Sequence, residues 1–129
     1  MKKYVIDTHA WIEFLFATEK GQKVNEIITG VQNRCMTAEC TLGELKSWAL
    51  RNARDFERIL AAVESQSEIV PIERDDWLSA AELRHEMRKT RKDFGLIDAV
   101  ILAKQKEHAG MLVSGDSDFK GLPNVLFLG

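Results

Sequence analysis

At 129 residues, 45% of them hydrophobic and 29% charged, the chain is long enough to bury a core and reads as one domain over residues 1–129. A formal net charge of −2 excludes the broadly basic character of a general nucleic-acid binder, so a polyanionic partner would need a local patch or a bound cation. No stretch reaches membrane-spanning length, and the opening Met1-Lys2-Lys3-Tyr4-Val5-Ile6-Asp7 meets an aspartate too early for a signal-peptide core, so a cytoplasmic location is expected.

Residues 3–6 form the first strand candidate and end at Asp7-Thr8-His9. Trp11, Ile12, Leu15 and Phe16 then recur at helical spacing, which puts Asp7 at a strand-to-helix junction. Val24, Ile27, Ile28 and Val31 predict a second helix, and residues 34–37 a short strand. Cys35 and Cys40 lack the further Cys or His of a zinc set and read as reduced thiols. Thr41-Leu42-Gly43-Glu44 opens a helix running through Leu45, Trp48 and Leu50, and Thr41 with Glu44 has the spacing of a capping box.

Phe56, Ile59, Leu60 and Val63 carry another helix, and residues 68–72 a strand. Trp77, Ala80, Ala81 and Met87 define a long helix from about Asp75. Its far end is basic, and Arg84, Arg88 and Arg91 or Lys92 fall on one helical face; with Lys89 they are the candidates for phosphate contacts. Residues 94–103 begin an apolar helix holding one carboxylate, Asp98, among Leu96-Ile97 and Ala99-Val100. A charge in such company is costly unless it is paired or binds metal, so Asp98 points to function. Met111-Leu112-Val113 reads as a buried strand that stops at Ser114-Gly115-Asp116-Ser117-Asp118, and residues 125–128 make a last strand. Alternating short strands and helices predict an α/β sandwich with a mainly parallel sheet of about five strands.

Asp7, Asp116 and Asp118 therefore sit at strand ends, and Glu44 and Asp98 near helix starts. In a wound α/β sheet these positions can meet at one edge, where a hard divalent cation would relieve their mutual repulsion. Such a site can activate water and stabilise charge developing on a phosphodiester. No Gly-rich phosphate loop or dinucleotide fingerprint is present.

The ordered set Tyr4-Val5-Ile6-Asp7-Thr8, Glu44, Leu96-Ile97-Asp98-Ala99-Val100-Ile101-Leu102-Ala103 and Leu112-Val113-Ser114-Gly115-Asp116-Ser117-Asp118-Phe119 resembles the PIN-domain ribonucleases. Within them it is most similar to the small VapC-type toxins of prokaryotic toxin–antitoxin pairs. The resemblance implies a PIN-like three-layer α/β/α sandwich and endonucleolytic hydrolysis of RNA with magnesium, or else manganese. It implies that Asp7, Glu44, Asp98 and Asp116 form the acidic quartet, with Asp118 as an accessory acid and Thr8 and Ser114 in support. It also places Glu44 at the metal rather than in a helix cap, and implies a cognate antitoxin and a homodimer. The role of His9 stays open.

Two enzyme-like rivals fail on residues: residues 69–72 supply no phosphoacceptor aspartate of a receiver domain, and Asp7-Thr8-His9 lacks the Asp-x-Asp of a dehalogenase-like phosphatase. A non-catalytic RNA- or protein-binding module is the remaining alternative, separated from an enzyme by metal-dependent turnover.

Overall fold

A computed structural model describes residues 1–129. The elements run β1 (Lys2–Ile6), α1 (Thr8–Leu15), α2 (Glu19–Thr29), β2 (Asn33–Ala38), α3 (Glu39–Arg51), α4 (Phe56–Gln66), β3 (Glu68–Val70), α5 (Arg74–Met87), α6 (Leu96–Glu107), β4 (Met111–Ser114), a 3₁₀ turn (Ser117–Phe119) and β5 (Val125–Phe127). The five strands pair in the order β3-β2-β1-β4-β5, and every pairing is parallel. Val5 of β1 stands beside Met36 on one side and Leu112 on the other.

Side chains alternate across a strand, so a sheet buried on both faces feeds two cores. Tyr4 and Ile6 enter a core with Trp11, Val24, Leu45, Ile59 and Val63 from α1–α4, whereas Val5 and Leu112 enter one with Ala80, Ala99, Val100 and Leu102 from α5 and α6. The result is the expected α/β/α sandwich. Trp11 is fully buried, and its indole N–H donates to Thr37 Oγ1 at 3.0 Å, so the polar end of the ring is satisfied where α1 crosses the sheet. Lys104, also buried, pairs with Asp76 at 2.8 Å and Glu107 at 2.9 Å and ties the start of α5 to the end of α6.

Gly21 shows how closely α1 and α2 pack, since a Cβ there would lie 2.0 Å from the carbonyl oxygen of Glu13. Only glycine permits that approach.

Several boundaries differ from the sequence expectation. The second helix stops at Thr29 and leaves Val31 98% exposed, because the chain turns at Gly30 to enter β2. Helix α3 starts two residues before Thr41 with no side-chain cap, so Thr41 is buried inside the helix and the capping-box spacing of Thr41 and Glu44 goes unused. A capping box does form two helices later, at the start of α5, between Glu73 and Asp76. Trp77 faces outward while Ala80 is buried, because α5 packs on α6 through small residues such as Ala80 and Ala99. Helix α5 ends at Met87, and residues 88–95 form a turn rather than more helix. Arg91 and Lys92 therefore do not share a helical face with Arg84: the stretch beyond Met87 has no apolar residue until Phe94 to hold a further turn against the core.

Candidate functional site

The chain leaves β1 toward β2 and β3, yet returns to place β4 and β5 on the opposite side of β1. The crevice beyond the carboxyl ends of β1 and β4 is thus a topological switch point, the place where open α/β sheets bind ligands. Asp7 is the residue after β1, and Asp116 lies two residues after β4. Asp98 projects from the first turn of α6, and Glu44 from α3. These four acids line one cavity of about 340 Å³. Asp118, on the 3₁₀ turn, stands beside Asp98 and Asp116, and one carboxylate oxygen from each of the three lies within 4.8 Å of the others.

Each acid is held by its neighbours. Asp7 caps α1 by accepting the Ala10 amide at 2.9 Å, and its other oxygen accepts a hydrogen bond from Ser114 Oγ. Ser114 Oγ in turn accepts the Asp116 amide at 3.0 Å, while Asp116 Oδ1 accepts the Asp118 amide at 2.9 Å. One serine therefore links the ends of β1 and β4. Thr8 Oγ1 donates to Glu44 Oε1 at 2.6 Å and steers that carboxylate from across the cleft. Thr8 and Ser114 thus each donate a hydroxyl hydrogen bond to one of the acids. The imidazole of His9 lies against Gly115, where a Cβ would come 2.4 Å from Nδ1, and it lines the same cavity.

Electrostatics mark the cluster. Burial raises the Asp7 carboxyl to about 7, against the lowering effect of its hydrogen bonds from Ser114 and Ala10, with smaller repulsion from Asp116 and Glu44. Burial also raises Asp98 to about 7, assisted by the charges of Asp116 and Asp118. These groups share too much negative charge in too little water. Oxygens on opposite sides of one divalent ion lie about 4–5 Å apart at ligand distances of 2.0–2.6 Å, so the Asp98, Asp116 and Asp118 oxygens suit such an ion. The all-oxygen donor set suits a hard cation.

The basic residues at the end of α5 do not line this cavity. Arg91 donates to the carbonyls of Asp118 at 2.9 Å and Lys120 at 2.8 Å, so it clamps the turn carrying Asp116 and Asp118. Arg88 Nε donates to the Phe94 carbonyl at 2.8 Å, just before the helix of Asp98. Lys89 pairs with Glu86, the Arg84 Nε is buried without a partner, and Lys92 is exposed. The sequence reading missed Ser47, Trp48 and Arg51, which line the cavity with Glu44. Their spacing of three, four and seven residues after Glu44 was the available signal.

The sequence matches the PIN domain family over residues 4–125. Among solved structures, the fold is similar to a chain of a toxin–antitoxin complex from Klebsiella pneumoniae (24% identity, 98% of each chain covered, TM-score 0.77). It is also similar to a chain of DNA-bound VapBC from Salmonella typhimurium (21% identity, 100% of each chain, TM-score 0.72). A third likeness is to the sarcin–ricin-loop-cleaving toxin VapC20 of Mycobacterium tuberculosis (16% identity, 95% of this chain and 96% of that one, TM-score 0.72). Comparison by sequence with curated proteins gives no match. No helix is long and apolar enough to cross a membrane.

Proposed function

This chain belongs to the PIN-domain family, and on that premise we propose that it is a metal-dependent endoribonuclease and the toxin of a toxin–antitoxin pair. The observation that carries the reading is the meeting of Asp7, Glu44, Asp98, Asp116 and Asp118 at the β1/β4 switch point. Asp98, Asp116 and Asp118 would hold magnesium or manganese, with Asp7 as a further ligand. The bound cation supplies charge neutralisation at the phosphoryl oxygens and lowers the pKa of water.

The chain's own groups do the rest. Ser114 and the Ala10 amide fix Asp7 so that its position is set before substrate arrives, and Arg91 fixes the turn bearing Asp116 and Asp118. Glu44, aimed by Thr8, lines the cavity with Asp7, Asp98 and Asp116 and would orient the attacking water and accept its proton. The buried floor of the cleft, with Ile101 and Phe119 in its lining, limits the water that competes for these carboxylates.

Relatives of similar fold come from toxin–antitoxin complexes, which supports a cognate antitoxin for this chain. An acidic cleft is complementary to a basic antitoxin segment, whose entry would silence it. Arg84, Lys89 and Lys92 stay in the proposal as RNA backbone contacts outside the cleft, whereas Arg88 and Arg91 are engaged by backbone carbonyls. A homodimer would find apolar surface to bury at exposed Trp77 and Leu78 on α5. The test of function is cleavage of a mixed structured RNA by wild type and Asp98→Asn, each with magnesium, manganese or EDTA. Cutting should require metal and fall by roughly 10²-fold or more in the variant. Binding of RNA without metal-dependent turnover under any of these conditions would favour a non-catalytic module instead.

A further inference from the structure

We propose that Trp48 and Arg51 form a nucleotide subsite beside the acidic centre, in which Arg51 holds a backbone phosphate of single-stranded RNA and Trp48 stacks on a base. The inference rests on the endoribonuclease reading and names how the same cleft grips its substrate. Helix α3 puts Glu44, Trp48 and Arg51 on one face, at spacings of four and seven residues, and all three line the cavity that holds the acids.

Arg51 is the only lysine or arginine in that lining. It makes no ion pair with any carboxylate, although the cleft is full of them; its Nη1 donates instead to Ser47 Oγ at 3.0 Å. Most of its guanidinium donors are therefore free at the rim, at the end of α3 away from the aspartates. A polyanion entering an acid-lined cleft is repelled unless a cation meets the next phosphate, and a guanidinium fork matches that group.

Trp48 supplies the second half. Its half-buried ring is backed by Phe16, with centroids 5.1 Å apart, and Arg54 covers Phe16 at 4.6 Å, so the indole is held in place from behind. Trp48 lines the same cavity as Glu44 and Arg51, which flank it along α3. A fixed, partly exposed aromatic face next to a free guanidinium is the arrangement that holds successive nucleotides of a single strand. The cavity, about 340 Å³, falls within the usual range for small ligands of roughly 300–1,000 Å³.

The experiment uses the full chain and a short, fluorescein-labelled, mixed-sequence single-stranded RNA. Binding is followed by anisotropy in EDTA across a salt series, cleavage is measured with manganese, and metal binding by calorimetry. Arg51→Gln should weaken RNA binding about tenfold and make the salt dependence shallower by about 0.7 in log–log slope. Trp48→Leu should weaken it by roughly fivefold or more at unchanged slope, and Trp48→Phe should restore most of the loss. Both should raise KM with little change in kcat, and leave metal affinity as in wild type. Arg51 is exposed, so its variant tests the subsite even if Trp48→Leu folds poorly.

Wild-type affinity and slope in Arg51→Gln would overturn the subsite, as would equal loss of metal and RNA binding. So would loss of binding to a synthetic arginine-rich peptide in Trp48→Leu with RNA binding intact, which would make this face a protein-docking surface. RNA cleavage by wild type with an unaltered KM in Arg51→Gln defeats the subsite alone. Arg51-dependent RNA binding without metal-dependent cutting defeats the endoribonuclease reading and leaves the subsite standing.

Discussion

Replacing Asp7 by asparagine should stabilise the metal-free protein while damaging its activity. In the folded chain burial raises the Asp7 carboxyl from 3.8 to about 7. Between those values the folded state keeps a proton that the unfolded state has released, so stability falls as pH rises through the window and levels off above about 7. The rise corresponds to about 4 kcal/mol of stability lost by pH 8, as an upper figure. Asparagine carries no charge to desolvate, is nearly the same shape, and its amide oxygen can still accept the Ala10 amide. The bonds from Ala10 and Ser114 are already counted in that raised value, so the remaining offset is the poorer match of the amide NH2 to the Ser114 hydroxyl that Asp7 accepts from, about 1–2 kcal/mol. The net expectation is a gain of about 2 kcal/mol at pH 8 in EDTA, shrinking toward zero near pH 4. Urea denaturation of both proteins at pH 4, 6 and 8 measures it. Manganese should then raise the wild-type midpoint at pH 8 and move that of Asp7→Asn much less. An asparagine variant less stable than wild type at pH 8 in EDTA would refute the claim that Asp7 is a strained, desolvated charge waiting for a cation.

Other perturbations test the framework around the site. Arg91→Met removes the bonds to the Asp118 and Lys120 carbonyls, so calorimetry should show metal affinity down by roughly 10-fold with the fold retained by circular dichroism; unchanged affinity would make the clamp dispensable. Gly21→Ala forces a Cβ into the Glu13 carbonyl and should cost about 3 kcal/mol in chemical denaturation, whereas a loss below 1 kcal/mol would mean α1 and α2 part easily. Lys104→Met leaves Asp76 without its buried partner and should cost about 3 kcal/mol at neutral pH; the double variant with Asp76→Asn should recover much of that, as a thermodynamic cycle would show.

Two features of the sequence already carried the fold and most of the acidic set. Apolar runs such as Tyr4-Val5-Ile6 and Met111-Leu112-Val113, separated by amphipathic helices, specify a doubly covered parallel sheet, because only such a sheet hides strands on both faces. Asp98 stood out for a similar reason: a carboxylate in an apolar helix start is expensive unless something compensates it. These are local costs, and local costs can be read along a chain.

What tertiary structure decided was which groups meet. The Thr41–Glu44 spacing alone favours a helix cap and only the family resemblance argued against it; in the fold β2 runs straight into α3 at Glu39, and Glu44 meets Thr8 instead. The basic stretch after Arg84 looked like one charged face, but with the helix ending at Met87, Arg91 turns back to bind carbonyls 27 and 29 residues away. Trp48 and Arg51 gave no sign on their own, because a half-buried tryptophan and a surface arginine are ordinary on any amphipathic helix. Their place beside Asp98 and Asp116 is set by the strand order β3-β2-β1-β4-β5. Sequence fixes each residue's own preferences, while neighbours far along the chain are chosen only when the sheet closes and the two cores pack against it.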